Sequence, residues 1–580
     1  MIWYFENPER FRQERTALER LASSSAWLLP GEWRVDESLR VVWDADIVTS
    51  SGIYPVTIQY PNHFPHSPPL VLPRGSSERW SAHQYGAGGE LCLEFGPDNW
   101  HPEFSGADMI ASAHRLLQGE APSPGRQSIV PSRHATTLGQ DLRRHYLRLL
   151  VTRDLRDILA SLPERIVVKA NVLSMHHEES AVFAITSVVL PDGTQWADPT
   201  IPKPIKYEGY ERQMVLVRWP PDLNTPTAES AQALRDAIGV SEALTPDTPF
   251  LCIVRGTTVH AHRLWDDGTI SEISIIAAQP AAARLDDTHA ALVARKVAIV
   301  GCGSLGSKLA VMLARSGVGK FVLIDDDIML PDNLIRQELD WRELGAHKAA
   351  AVARRIQLVN PSAECQTRLH RMGGQEASGS IETLITSLAE CDLIVDATAD
   401  ARAFGYLCAA ASTGGKPVVW AEVFGGGFGG LIARHRPLLD PDPASMRRAI
   451  ENWCVAQGAP PMTRAHNYET GDSGPPLIAD DADVTAIAAH AARLTIDTLI
   501  PRNPSNFPYS VYMIGLARGW IFDQPFDTRP IDVGPPSSPT SATAADQQLF
   551  EEEMAIVFEL FKKRSNATSS DTGNHSASAT

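Results

Sequence analysis

The chain has 580 residues, 43% of them hydrophobic and 21% charged, with a formal net charge of −17. That length exceeds what one hydrophobic core supports and calls for three or four domains. The composition is that of a soluble protein, and no run approaches the ~18 apolar residues of a membrane span. An acidic balance without any Lys/Arg block argues against nucleic acid as a partner.

The opening MIWYFENPER lacks a basic region leading into an apolar segment, so no secretory signal is read and the cytoplasm is the expected compartment. Residues 6–22 carry apolar positions at helical spacing. EWRVD, LRVVWDADIV and YPVTIQY alternate as antiparallel strands do, and FPHSPPLVLP breaks that pattern with four prolines. A single cysteine, Cys92, follows a glycine pair, and GADMIASAHRLLQG then reads as a helix. TTLGQDLRRHYLRLLVTRDLRDILASL reads as one or two more helices. From about 165 to 280 the segments RIVVKANVL, SAVFAITSVVL, QMVLVRW, TPFLCIVRG and TVHAHRL are β-rich and carry no chemical motif.

From about 285 strands and helices alternate: KVAIVGCGSLG, SKLAVMLARSGV, KFVLIDDD, HKAAAVARRIQLVN, CDLIVDAT. This is the signature of a parallel sheet with crossover helices. The tail from 535 is low-complexity at both ends and is expected to be disordered there. A helix, LFEEEMAIVFELFKKR, lies between, acidic at its start and basic at its end, as the macrodipole favours. Its apolar face needs a partner surface.

The seven cysteines are scattered, odd in number and never in a CxxC pair, which excludes a disulfide framework and a zinc site. The chemistry gathers instead around Gly301-Cys302-Gly303-Ser304-Leu305-Gly306. This GxGxxG follows a strand and opens a helix, so backbone N–H groups and the helix dipole face a phosphate. Such a loop alone suggests a dinucleotide cofactor, but its surroundings differ. Asp325 and Asp327 end the next strand, where a ribose would lie. Asn333, Arg336, Gln337 and Lys348 follow, and a dehydrogenase needs no such cationic cluster beside its ribose. An Arg and a Lys near a triphosphate suit attack on a phosphoryl group. Asp396 and Asp400, after a later strand, are placed for a magnesium ion carried by ATP.

GCGSLG…LIDDDIMLPDNLIRQ…GAHKA…LIVDATAD resembles the ThiF/MoeB/ubiquitin-activating adenylation family over about 295–400, and the helix 482–500 fits the later family pattern. The resemblance implies that Gly301, Gly303 and Gly306 line the ATP phosphates. It further implies that Asp325 and Asp327 hold the ribose, that Asn333, Arg336, Gln337 and Lys348 contact the phosphates, and that Asp400 or Asp396 holds Mg2+. The family usually reads D-A-T-D; here an alanine intervenes. Such enzymes activate a protein's C-terminal carboxylate as an acyl-adenylate, and many then capture it on a cysteine. Adenylation folds of this family generally pair, so a homodimer is expected, with Arg284 reaching a partner's ATP.

Phe64-Pro65-His66-Ser67-Pro68-Pro69-Leu70, His83, Gly89-x-Leu91-Cys92-Leu93 and Trp100-x-Pro102 are similar in order and spacing to the ubiquitin-conjugating core, with Cys92 at the thioester position. Where that family has His-Pro-Asn, this chain has His83-Gln84-Tyr85. The oxyanion-stabilising Asn is missing, and the sequence does not identify its replacement. Within 440–481 the one thiol is Cys454, the expected activating-domain cysteine; direct passage of the adenylate to Cys92 is the alternative.

The expected fold class is multidomain α/β. A conjugating-like α+β domain is expected over 1–160, a β-rich linker domain over 161–284, a doubly wound ThiF-type domain over 285–534, and a tail over 535–580. The order of modules resembles bacterial conjugating/activating fusions of anti-phage operons that carry cGAS-like nucleotidyltransferases (CBASS). The implied partner is such a nucleotidyltransferase, joined through its C-terminus to target amines. The other reading is a sulfur-carrier adenylyltransferase of cofactor biosynthesis, which would not need residues 1–120.

Overall fold

A computed structural model describes residues 2–571 apart from 76–78, 82, 86–88, 121–129, 131–136, 240–247, 278–285, 375–377, 425, 460–478 and 537–543. Arg284 therefore lies outside the described residues. The chain divides into two compact units, Met1–Arg144 and His145–Thr580. No described helix is long and apolar enough to cross a membrane.

In the first unit, the helix Pro8–Ser24 is capped by Asn7, whose side chain accepts from the Arg10 amide. Four antiparallel strands follow in sequence order: β1 (Leu28–Val35), β2 (Val41–Thr49), β3 (Gly52–Gln59) and β4 (Leu70–Pro73). Alternation along β2 and β3 sends Trp43, Ala45, Ile47, Val56 and Ile58 inward. There they meet Leu18 of the first helix and Ile110, Ala113 and Leu117 of the helix Gly106–Glu120. A buried carboxylate, Glu14, ties these pieces together. It accepts from the Tyr60 hydroxyl at 2.9 Å and the Gly106 amide at 2.6 Å, and it pairs with Arg10 at 2.9 Å. Gly106 is required there, because a Cβ would stand 2.1 Å from the Tyr60 oxygen. A two-stranded hairpin, β5 (Gln84–Tyr85) and β6 (Glu90–Leu91), leads to Cys92.

The second unit opens with β7 (Leu147–Val151), which corrects the helical reading of this stretch. Leu147, Leu149 and Val151 alternate inward, and LRLLV satisfies a two-residue period as well as a helical one. β7 pairs with β9 (Ser180–Val189) and β14 (Ile270–Ala277), so it belongs to the middle sheet and not to a domain reaching residue 160. The sheet runs β10 (Gln195–Ala197), β9, β7, β14, β13 (Thr258–Leu264), β12 (Phe250–Arg255), β11 (Tyr210–Trp219), β8 (Val167–His177). An additional β8–β9 pairing closes seven of these strands into a ring. Inside lie Phe183, Met214, Leu216, Phe250 and Cys252. The alternate residues Val215, Val217, Leu251 and Ile253 meet Leu234 of the helix Ala231–Ile238.

The remainder is a doubly wound sheet of order β17-β16-β15-β18-β19-β20-β21-β22, comprising β15 (Lys296–Val300), β16 (Lys320–Ile324), β17 (Glu364–Arg368), β18 (Leu393–Asp396), β19 (Val418–Val423), β20 (Gly429–His435), β21 (Val511–Gly515) and β22 (Thr528–Ile531). The first five are parallel and the rest antiparallel. β15, β16 and β18 are nearly all apolar and buried, as strands covered on both faces require, whereas β17, at the sheet edge, reads ECQTR and is partly exposed. Helices Ser304–Arg315, Lys348–Val359 and Asp481–Leu499 cover one face. Ser378–Ala389, Ala401–Gly414 and Pro443–Ala456 cover the other. The strand order reverses between β15 and β18, and in open α/β sheets ligands bind at such a point, beyond the carboxyl ends of the strands. Arg434 is the largest buried charge. It pairs with Asp497 at 2.9 Å and donates to Ser505 and the Phe507 carbonyl, fastening β20 to the helix Asp481–Leu499 and the loop after it. The tail helix spans Ala544–Asp571, longer than expected, continuing into residues read as disordered. Leu549, Phe550, Ile556, Leu560 and Phe561 on it are exposed.

Candidate nucleotide site and cysteine site

The glycine loop leaves β15 at Gly301, which is left-handed (φ +86°), and a Cβ there would come within 2.8 Å of the Ala397 carbonyl. A Cβ at Gly306 would stand 1.9 Å from the Gly301 carbonyl. Both glycines are therefore demanded by the tight strand-to-helix turn. Gly303 differs: a Cβ there would meet nothing within 4 Å. Gly303 is the N-cap of the helix Ser304–Arg315, in extended backbone that other residues also adopt.

Asp325 and Asp327 follow β16 beside this loop. The Cys302 amide donates to Asp325 at 2.6 Å, and the Asp327 amide donates to the same carboxylate at 2.9 Å. Burial pushes the Asp325 carboxyl up, against those hydrogen bonds and the nearby Lys348 charge. Lys348, first residue of its helix, pairs with Asp327 at 3.0 Å. Loop, acids and lysine thus converge. Arg336 is half-buried in the segment between Asp327 and Lys348, its amide donating to the Asn333 carbonyl. The Asn333 side chain accepts from the Leu330 amide at 3.0 Å. Gln337 is buried and committed to the loop: its amide nitrogen donates to the Cys302 carbonyl at 2.9 Å, and its oxygen accepts from Ser307.

Asp396 ends β18 and is buried; its oxygen accepts from both the amide and the hydroxyl of Thr398, and burial pushes its carboxyl up. Asp400 caps the helix Ala401–Gly414 through the Arg402 amide at 2.8 Å. Burial acts against its charge, but bonds from Arg402 outweigh this and hold its pKa below the usual range. The intervening Ala399 takes a left-handed φ of +54°, which is how the extra residue is absorbed between the two acids. Their carboxylate oxygens are the hard donors that Mg2+ prefers.

Sequence reasoning missed Lys308. It is buried on the helix that starts at the glycine loop and pairs with Asp481 at 2.6 Å. A lysine amid SKLAVML carries no pattern that separates it from a solvated one.

In the other unit, Cys92 is half-buried just past β6, its amide donating to the His83 carbonyl at 2.8 Å. The Tyr85 hydroxyl lies 2.9 Å from its sulfur. Cys454 sits in the last turn of the helix Pro443–Ala456 and packs with Trp453 against the core. Burial, then Glu422 and Glu451, push its thiol up, the opposite of an activated thiolate.

Residues 280–458 match the ThiF family model. The C-terminal domain is of the ThiF type, in a multidomain α/β chain. Among curated proteins, the chain is similar to "ATP-dependent ubiquitin transferase-like protein Cap2" of Pseudomonas aeruginosa, 30% identical over 138 residues, 22% of this chain and 23% of that one. It is also similar to "Adenylyltransferase and sulfurtransferase UBA4" of Debaryomyces hansenii, 37% identical over 113 residues, 19% of this chain and 23% of that one. The chain spans less than two fifths of the length of the curated relatives it matches first. Among solved structures, E. coli MccB with ATP aligns at 18% identity and a TM-score of 0.33, over 44% of this chain and 67% of that one.

Proposed function

We propose that this protein uses ATP and Mg2+ to activate the C-terminal carboxylate of a partner protein, holds the acyl group as a thioester, and ligates it from Cys92 to a lysine amine. The observation that carries the activation step is the convergence of the glycine loop, Asp325, Asp327 and Lys348 at the point where the strand order reverses. A carboxylate oxygen of the partner attacks the α-phosphorus of ATP. The bond to the bridging oxygen breaks, and pyrophosphate leaves with its electron pair. Lys348 and Arg336 offset the negative charge that develops, in a site whose dipoles are already oriented. Asp325 and Asp327 hold the ribose, and Asp396 or Asp400 would hold a magnesium ion, which would supply positive charge against the phosphates. Lys348 exchanges its Asp327 partner for phosphate when ATP enters.

Residues 1–144 supply the conjugating half of this reading, as a ubiquitin-conjugating-like module, and Cys454 is the candidate relay thiol. The partner is a protein with an accessible C-terminus. By the order of modules, a cGAS-like nucleotidyltransferase in anti-phage defence fits, as does a homodimeric assembly in the cytoplasm. Likeness to an adenylyltransferase and sulfurtransferase supports a second reading, sulfur-carrier activation without ligation. Pyrophosphate exchange with a candidate partner tests activation, and intact-mass detection of a thiol-labile adduct on Cys92 separates the readings. Exchange without any adduct selects the second; no exchange with any C-terminus removes both.

A further inference from the structure

Three residues, His83-Gln84-Tyr85, stand where the conjugating-enzyme pattern would place its oxyanion donor, and the fold commits two of them elsewhere. His83 Nε2 bonds the Val130 carbonyl at 2.6 Å. The Gln84 side chain accepts from the Trp80 and Ser81 amides at 2.6 and 3.1 Å and donates to the Gly89 carbonyl at 2.8 Å. Register decides this. In the β5–β6 hairpin Gln84 faces Leu91 and Tyr85 faces Glu90. Gln84 and Leu91 are buried, so their neighbours point the other way, and Cys92, two residues beyond Glu90, shares the face of Tyr85. The pairing of phenol and thiol is thus built into the hairpin.

We propose that Tyr85 is a catalytic residue of the ligation step, donating a hydrogen bond to the Cys92 sulfur as it leaves. This inference rests on Cys92 being the acyl carrier. In the free enzyme either atom can donate, but an acylated sulfur has no proton, so the phenol is then the donor. Attack by a neutral lysine amine forms the C–N bond, the C–S bond breaks, sulfur departs as thiolate, and the amine's surplus proton is lost to solvent. The sulfur is a weak acceptor in the thioester and a strong one as thiolate, so the bond strengthens as the reaction proceeds and lowers the barrier rather than the ground state. Burial of Glu90 raises its carboxyl. In the free enzyme the bond to Cys92, burial, and the charges of Cys92, Glu90 and Asp98 push the Tyr85 phenol up to about 12. Burial and the Glu90 and Asp98 charges persist once the sulfur is acylated and act in the same direction, so the phenol keeps its proton at neutral pH and acts as donor, not base.

The test uses the full chain and Tyr85→Phe, which keeps the ring and removes only the hydroxyl. Cys92 is acylated chemically with an aryl thioester of acetylglycine, and discharge to free lysine is followed by intact mass. The same discharge is followed after enzymatic charging with ATP and partner protein. Discharge slowed roughly 10- to 100-fold in Tyr85→Phe, with the melting temperature unchanged, is the expected result. An equal discharge rate in the two proteins overturns the assignment of Tyr85, whether or not enzymatic charging succeeds. A chemical-discharge defect with no enzymatic charging of Cys92 supports the donor while removing the acyl-carrier reading. A Tyr85→Phe protein that melts early is replaced by Tyr85→His, which restores a donor. Failure of that variant to discharge faster than Tyr85→Phe also overturns the assignment.

Discussion

Gly303 and Gly306 are two residues of one motif with opposite reasons for being glycine, and replacing each by alanine separates them. At Gly306 a methyl falls about 1.5 Å short of ordinary contact with the Gly301 carbonyl. Neither side can yield cheaply. The Gly301 amide is bonded to the Ile324 carbonyl at 2.9 Å, and the loop is pinned again through Cys302 and Asp325. Overpacking costs about 1–3 kcal/mol, and a clash between backbone atoms belongs at the upper end. For a domain of this size, about 3 kcal/mol lowers the melting temperature by roughly 6–12 °C. At Gly303 the extended backbone suits any residue and the methyl meets open space, so Gly303→Ala should melt within about 0.5 kcal/mol of the parent. If that open space is where phosphate lies, the same methyl weakens ATP binding about tenfold or more, about 1.4 kcal/mol. Thermal melts with and without ATP, with calorimetric titration, read both effects. A Gly306→Ala protein as stable as the parent refutes the steric argument, and undiminished ATP affinity in Gly303→Ala refutes the placement of the phosphates.

Arg336→Ala and Lys348→Ala should each abolish pyrophosphate exchange with folding retained, because neither residue is fully buried and the partner of Lys348, Asp327, is exposed to water; full exchange in both would sink the site assignment. Asp497→Asn should cost about 3–5 kcal/mol by stranding Arg434. Burial opposes the Asp497 charge, but bonds from Ser505 and Arg434 outweigh it and hold its pKa below the usual carboxylate range. Its stabilisation is therefore full above about pH 4 and lost as pH falls through its folded value. Denaturant melts from pH 3 to 7 should show the parent losing this increment and the variant flat in that respect. Light scattering at micromolar concentration should give a dimer, and a monomer would remove that proposal. Cys92→Ser should convert a thiol-labile adduct with the partner into a stable oxyester, while Cys92→Ala keeps exchange but loses ligation; normal ligation by Cys92→Ala returns that thiol to the core.

The doubly wound domain was legible because its signals are local and redundant: continuous apolar strands, glycines at a turn only glycine fits, and acids at strand ends. LRLLV (147–151) was not legible, since its pattern fits helix and strand alike and only pairing with β9 and β14 decides. Closure of the middle strands into a ring depends on a β8–β9 pairing that no segment announces by itself. Among site residues, the convergence of Asp325, Asp327 and Lys348 followed from motif spacing. The engagement of Gln337 with the loop did not, because an amide near a phosphate loop reads the same whichever way it points. Tyr85 was visible as a departure from a pattern, but its role required the hairpin register.

The seven thiols can be ranked by surroundings alone. Burial pushes Cys252, Cys365 and Cys408 up to about 12 and Cys391 up to about 11, and burial, then the Asp325 charge, pushes Cys302 in the glycine loop well above the usual thiol range. A thiol held protonated so far above neutrality is a poor nucleophile, so these five are packing groups. Cys454 is pushed the same way by burial and by the charges of Glu422 and Glu451. For it to relay an acyl group, the surroundings of its thiol must change. Cys92 is half-buried, and among the described residues it is the thiol with a hydroxyl at hydrogen-bond distance. An acyl group on sulfur is exchanged for an amide by any amine that reaches it, so the last carrier needs access on one side and a partner for the departing sulfur on the other. Both Cys92 and Cys454 are half-buried, but Cys92 also has the Tyr85 hydroxyl beside its sulfur, and the order of labelling in Cys92→Ala and Cys454→Ala decides whether the chain uses one thiol or two. An adduct on Cys454 in the first variant, and none on Cys92 in the second, establishes the relay; undiminished labelling of Cys92 in Cys454→Ala means that the adenylate passes to Cys92 directly.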